Sequence, residues 1–156
     1  MNTEQSHLNL RLNYRSANPE AYRAMLALER FIGGCRLDKS LVELLKTRVS
    51  QLNGCAFCVA AHAADLRRLG DYEEQLLLLA VWRDSPVFAG QERAALELAE
   101  HLVRIGERGV PEAVYAEARR YFGEAEYVDL VMVVNTINAW NRISISTGMY
   151  PGVKLE

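Results

Sequence analysis

The stretch Gln51–Asp65, QLNGCAFCVAAHAAD, decides how this chain is to be read. Asn53–Gly54 is a turn signal set between two helix-favouring runs. Upstream of it, Leu41, Leu44, Leu45, Val49 and Leu52 recur at spacings of three and four, which predicts a helix opening at Leu37 or Asp38 and ending at the turn. Downstream, the alanine-rich segment from Cys55 or Ala56 to about Leu69 favours helix, and Gly70 closes it. A turn this short should fold the second helix back against the first. A close pair of cysteines, Cys55 and Cys58, lies where the second helix begins.

The same reading extends in both directions. In NPEAYRAMLALERFIGG, Asn18 can cap a helix, Pro19 fits its first position and Gly33–Gly34 ends it. Further helices are predicted at Tyr72–Arg83, Gly90–Gly106, Pro111–Phe122 and Glu124–Thr147. No segment alternates strictly enough for an exposed strand, and LVMVVNTI has the length and flanks of a helix. The expectation is one all-α domain of about seven helices over residues 18–150, with tails at 1–17 and 151–156. Several helices look apolar enough to pack against another subunit.

Composition narrows the function. A single domain of 156 residues buries about 68–70% of its unfolded surface, so it needs no staple to fold. The net charge of −2 and the absence of a basic run argue against a nucleic-acid partner. The apolar stretch at 127–150 is interrupted by Asp129, Asn135, Asn138, Asn141 and Arg142, which fits a buried helix and not a membrane span. The polar start MNTEQSHLNLRLNYRS lacks the apolar core of a secretory signal, so a cytoplasmic location is expected. Three cysteines in that compartment are not a disulfide scaffold; a close pair there points to redox catalysis or to a metal.

Helical phase gathers the chemistry. Cys55, Cys58 and His62 fall within an arc of about 60° on one face, so their side chains can share one small volume. Cysteines three apart on a helix lie within disulfide reach. The unpaired N–H groups and positive dipole end of a first helical turn favour thiolate. His62 can carry a proton near neutral pH if its tautomer is fixed, since imidazole titrates at about 6.5. Glu43, on the preceding helix, is a candidate to fix it, although counting from the turn leaves the two about one helical turn out of register.

Other readings stand beside this one. C-x-x-C also serves zinc, and Cys55, Cys58 and His62 could form a metal site if Glu43 were the fourth ligand, for no second C-x-x-C exists. The cysteines could be core thiols, and Glu43 a solvated helix charge. Cys35 reads as structural, His7 as part of a tail, and His101 as a half-exposed helix residue. Asn135, Asn138 and Arg142 read as polar groups of a subunit interface in preference to a pocket lining. Trp82–Arg83 suits a pocket rim or a helix contact.

The pattern of Glu43, eleven residues, Cys55, two residues, Cys58, three residues and His62 resembles the signature of the alkylhydroperoxidase D (AhpD)-like proteins of the carboxymuconolactone decarboxylase superfamily. LLKTRVSQLNGCAFCVAAHAADLRRLG, LLLLAVWRDSPVFAGQERAALELAE and NTINAWNRISISTG are similar to the corresponding blocks, covering roughly Leu41 to Gly148. The resemblance implies an all-helical, homo-oligomeric protein, a trimer or hexamer, that reduces hydroperoxides by thiol chemistry without a cofactor. It implies that Cys58 is the peroxidatic thiol, Cys55 the resolving one, and His62 and Glu43 the proton relay. It further implies a dithiol electron donor, in the family sometimes a lipoyl-bearing protein. In founding members a histidine directly precedes the second cysteine; here that place is Phe57, which removes an imidazole and makes the surroundings more apolar. A disulfide oxidoreductase or redox sensor using the same pair, and a non-enzymatic Cys–Cys–His metal-binding module, are the alternatives.

Overall fold

A computed structural model of the chain describes residues 10–155. These residues form helices α1 (Tyr14–Ala17), α2 (Pro19–Gly33), α3 (Lys39–Asn53), α4 (Ala56–Leu69), α5 (Glu73–Leu78), α6 (Gly90–Val103), α7 (Ile105–Arg108), α8 (Glu112–Tyr121) and α9 (Glu124–Thr147), with a 3-10 turn at Leu79–Asp84. No strand occurs among them. The seven longer helices are the seven that the apolar periodicity predicts.

Their ends follow the local chemistry. Asn18 accepts the N–H of Ala21 at the start of α2, with Pro19 at the first helical position. Gly54 ends α3 at φ 72°, in the left-handed region where a side chain would be strained, and so allows the reversal into α4. At the far end of the chain, Gly148 does the same for α9 at φ 78°.

The core forms around α3, which packs along α4 and against α9 and α6. Leu44, Leu45, Val49, Leu66, Leu96 and Ile137 are its fully buried anchors. In contrast, α2 buries only Ile32 outright and α5 buries nothing. None of the described helices is long and apolar enough to cross a membrane.

Three details differ from the sequence expectations. The helix expected at Tyr72–Arg83 changes form at Leu79, and Val81 leaves helical geometry at φ −120°. Leu79 and Trp82 are both buried, and a 3-10 turn aligns residues three apart, so burying this pair outweighs continuing the α-helix. The helix expected at Gly90–Gly106 breaks at Arg104, where the chain doubles back and His101 meets the Gly109 carbonyl at 3.1 Å.

The third difference concerns the segment expected as an N-terminal tail, which over 10–17 is docked on the bundle. Arg11 and Leu12 both donate their N–H groups to the Thr147 carbonyl at the end of α9, at 2.9 and 3.3 Å. Tyr14 stands edge-on to Tyr22 and to Trp140, with centroids 5.8 and 6.2 Å away. These contacts offset the ordering cost of a four-residue helix that could not form alone. His7 lies outside the described residues.

Candidate active site

Cys55 is the N-cap of α4. Its N–H is held by the Ser50 carbonyl at 2.9 Å, and its Sγ accepts the N–H of Cys58 at 3.3 Å. Cys58 is one turn further on, with its Sγ 3.6 Å from Ser144 Oγ of α9. Both thiols are buried and free. They share their protons unequally. The Cys58 thiol donates to Cys55, which outweighs the cost of burial, and with the backbone N–H it draws Cys55 down to about 6. The same hydrogen bond, with burial, pushes Cys58 well above the ordinary thiol range. The helix-start N–H thus favours thiolate at Cys55, while burial beside it favours the thiol at Cys58.

A polar cluster supports the pair from behind. Asn53 donates its amide to Asn138 Oδ1 at 2.7 Å and Asn141 Oδ1 at 2.9 Å, while Asn141 donates to Ser50 Oγ at 3.0 Å. Asn141 and Ser144 also contribute hydrogen bonds that favour thiolate at both sulfurs. Asn138 and Asn141 thus face the core, whereas Asn135 and Arg142, grouped with Asn138 by helical spacing, are exposed. The missing distinction is about 60° of helical phase between Asn135 and Asn138.

His62 lies one further turn along α4. Its Nδ1 is 2.7 Å from Glu43 Oε2, both groups being about five-sixths buried, at 15% and 16% exposure. The side chains span the register offset expected from counting along the helices. Behind Glu43, the almost fully buried Lys46 places Nζ 4.0 Å from Glu43 Oε1 and 2.8 Å from Glu29 Oε2 of α2. Glu29 Oε1 in turn accepts the indole N–H of Trp140 at 2.8 Å.

A cavity of about 160 Å³ opens over Cys58. Phe57, Cys58, Ala61 and His62 line it from α4, Trp140 and Ser144 from α9, Glu29 from α2, and Tyr14 and Arg15 from α1. Cys55 is not part of the lining. A larger cavity of about 420 Å³ lies on the far side of Glu43 and includes Lys46, Asp65, Arg68 and Cys35, but neither cysteine of the pair. Metal-type donors come together among the described residues as Glu43, His62 and Asp65, and that group too excludes Cys55 and Cys58. The Cys–Cys–His ligand set of the metal reading is thus not assembled in this conformation.

Trp82 and Arg83 form a helix contact away from the pair. The Trp82 indole donates to Glu100 at 2.9 Å, and Arg83 bridges Glu97 and Glu100. His101 is about seven-eighths buried instead of half exposed, held between Glu97 and the Gly109 carbonyl.

Known proteins similar to this chain complete the assignment. The family model of the carboxymuconolactone decarboxylases matches residues 19–101, the span that holds Glu43, Cys55, Cys58 and His62. The chain belongs to the carboxymuconolactone decarboxylase family. This family member is 39% identical over 141 residues to the uncharacterized protein YdfG of Bacillus subtilis, covering 90% of this chain and 96% of that one. Among solved structures, it superposes with a TM-score of 0.89 on a protein of unknown function from Agrobacterium tumefaciens, named as a candidate AhpD antioxidant defence protein. That pair is 37% identical and covers 94% and 100% of the two chains. An uncharacterized peroxidase-related protein from Ralstonia eutropha, described as an alkylhydroperoxidase AhpD core, matches at 25% identity and a TM-score of 0.75, covering 88% and 74%. The protein is thus an AhpD-like member of its superfamily.

Proposed function

We propose that this protein is a thiol-dependent hydroperoxide reductase. The observation that carries the reading is the cavity over Cys58, in which the thiol and the Glu43-held imidazole of His62 line one wall system while Cys55 waits behind. A hydroperoxide in that cavity meets Cys58 and not Cys55. Attack requires the Cys58 proton to move to His62, directly or by way of Cys55. The Cys58 sulfur then bonds the outer peroxide oxygen, the O–O bond breaks, and the alkoxide takes a proton from His62. The products are an alcohol and a sulfenic acid on Cys58. Cys55 attacks that sulfur, expelling hydroxide that leaves as water, and the disulfide forms. The peroxide has gained the two electrons that the pair has lost. A dithiol donor, such as a lipoyl group on a carrier protein, returns them by exchange.

Phe57 supports an organic peroxide as substrate, since with Trp140 and Tyr14 it makes much of the lining aromatic. Assembly into a trimer or hexamer belongs to the same reading, because Phe31, Leu77, Val81 and Ile145 are exposed apolar groups and α2 and α5 leave their faces largely uncovered. Sedimentation equilibrium tests it.

One observation favours a second reading. Cys55 caps α4 and accepts the Cys58 N–H, which favours its thiolate, as suits a disulfide oxidoreductase whose first cysteine attacks a protein or small-molecule disulfide. Reduced protein treated with one equivalent of tert-butyl hydroperoxide, with thiols mapped by mass spectrometry, separates the two. The reductase reading expects peroxide loss and a Cys55–Cys58 disulfide, both abolished in Cys58→Ser. Persistence of the peroxide with both thiols intact overturns it.

A further inference from the structure

Lys46 is 4% exposed, which is unusual for an ammonium. Its Nζ is held at 2.8 Å by Glu29 and lies 4.0 Å from Glu43. A buried ion pair is a weak source of stability, since desolvating the charges offsets much of their attraction. Its placement suggests a different use. Glu43 divides its two oxygens, Oε2 toward His62 and Oε1 toward Lys46. Glu29 divides its own between Lys46 and the Trp140 indole, and both Trp140 and His62 line the cavity over Cys58. One ammonium thus ties the relay carboxylate to the cavity wall.

We propose that Lys46, anchored by Glu29, is a positioning residue for the Glu43–His62 pair, holding Glu43 so that His62 donates through Nδ1 and presents Nε2 as the proton acceptor toward Cys58. The proposal rests on the reductase reading for its consequence in catalysis, but the positioning itself does not. Charge alternates along the row, with Glu29 negative, Lys46 positive and Glu43 negative, ending on an imidazole. When His62 takes the thiol proton the row becomes neutral. Without the ammonium, the charges of Glu29 and Glu43 are no longer offset, which favours the cationic imidazole and makes it a poorer acceptor. Without Glu29, the ammonium is matched by Glu43 alone, and His62 would give up its proton more readily. The other ionisable groups around His62 are Cys58 and Asp65 on its own helix and Tyr14 and Arg15 of α1. All four are left in place by substitutions at Lys46 or Glu29.

The test is the titration of His62 followed by NMR in reduced full-length protein, assigned with His62→Gln, for wild type, Lys46→Met, Lys46→Arg and Glu29→Gln. The midpoint is expected to rise in Lys46→Met and to fall in Glu29→Gln, each by about half a pH unit or more, with Lys46→Arg close to wild type. The acid limb of kcat/KM for tert-butyl hydroperoxide should move in the same two directions. Unmoved midpoints, or midpoints moving the same way in both variants, overturn the proposal. A purely structural role would lower thermal stability without opposed shifts. If Lys46→Met does not fold, Glu29→Gln and Lys46→Arg carry the test. Failure of wild type to reduce peroxide sinks the reductase reading, while the NMR midpoints still decide the role of Lys46.

Discussion

Glu43 Oε2 and His62 Nδ1 lie 2.7 Å apart across the α3–α4 turn, nineteen residues apart in sequence. The contact orients an imidazole that would otherwise rotate freely, and it stabilises the protonated ring that a proton transfer creates. Glu43→Gln keeps the shape and the acceptor oxygen but removes the charge. Hydroperoxide reduction is expected to fall by about 10²-fold in kcat/KM, with little change in melting temperature. Steady-state kinetics with a saturating dithiol donor, alongside thermal denaturation, checks both halves. A loss of activity matched by unfolding would point instead to a structural carboxylate.

The thiol pair makes stability depend on pH. Cys55 titrates at about 6 when folded and at about 8.5 when unfolded. Between those values the unfolded chain holds a proton that the native state has released, so the reduced protein gains stability as pH rises from about 6 and loses it again as pH falls through 6. Cys58 has the opposite shift. Above about 8.5 the unfolded chain releases its proton while the native state keeps it, and stability should decline. Urea denaturation across this range should give a maximum near the ordinary thiol pKa. Cys55→Ser should remove the rise below it, and a Cys55→Ser curve that still rises would contradict this assignment.

Asn141 should matter to the scaffold more than to the chemistry. It accepts from Asn53 and donates to Ser50, all within the α3–α9 contact. Asn141→Leu fills the space but leaves the half-buried Asn53 amide and the buried Ser50 hydroxyl with fewer partners, at a cost of about 1–3 kcal/mol. Chemical denaturation should show this loss. The Cys55 thiolate should be harder to form in the variant, because Asn141 helps to stabilise it. Ultraviolet thiolate absorbance measured against pH would detect that change.

Much of this site was legible because it is local. Cys55, Cys58 and His62 follow one another along α4, and the Asn53–Gly54 turn alone determines that α3 returns beside them. What could not be read depends on distant pairing. Ser144 reaches Cys58 across 86 positions, and Trp140 reaches Glu29 across 111. Periodicity marks a residue as apolar-facing or polar-facing but says nothing of which neighbour it meets. Glu29 and Lys46 look like ordinary charges on helix faces until α2 packs on α9 and brings Glu29 within reach of Lys46. The short α1 escaped for a related reason. Its four residues are too few to show a period, and its only local signal is Asn13, whose side chain accepts the N–H groups of Arg15 and Ser16.

Tyr14 and Arg15 cover one side of the cavity over Cys58, and Tyr14 is fixed there by edge-on packing against Tyr22 and Trp140. Neither residue is part of the Glu43–His62 contact. Tyr14→Ala removes two aromatic pairs, worth about 0.5–1.5 kcal/mol each, and opens the cavity to water on that side. An organic hydroperoxide would lose a wall that holds it before reaction and keep the groups that react with it. KM should therefore rise several-fold for a bulky substrate such as cumene hydroperoxide, less for hydrogen peroxide, with kcat nearly unchanged. A drop in kcat at unchanged KM would place Tyr14 in the proton path. Equal effects on the two peroxides would show that α1 acts on the cavity only by supporting α9, through the packing of Tyr14 against Trp140.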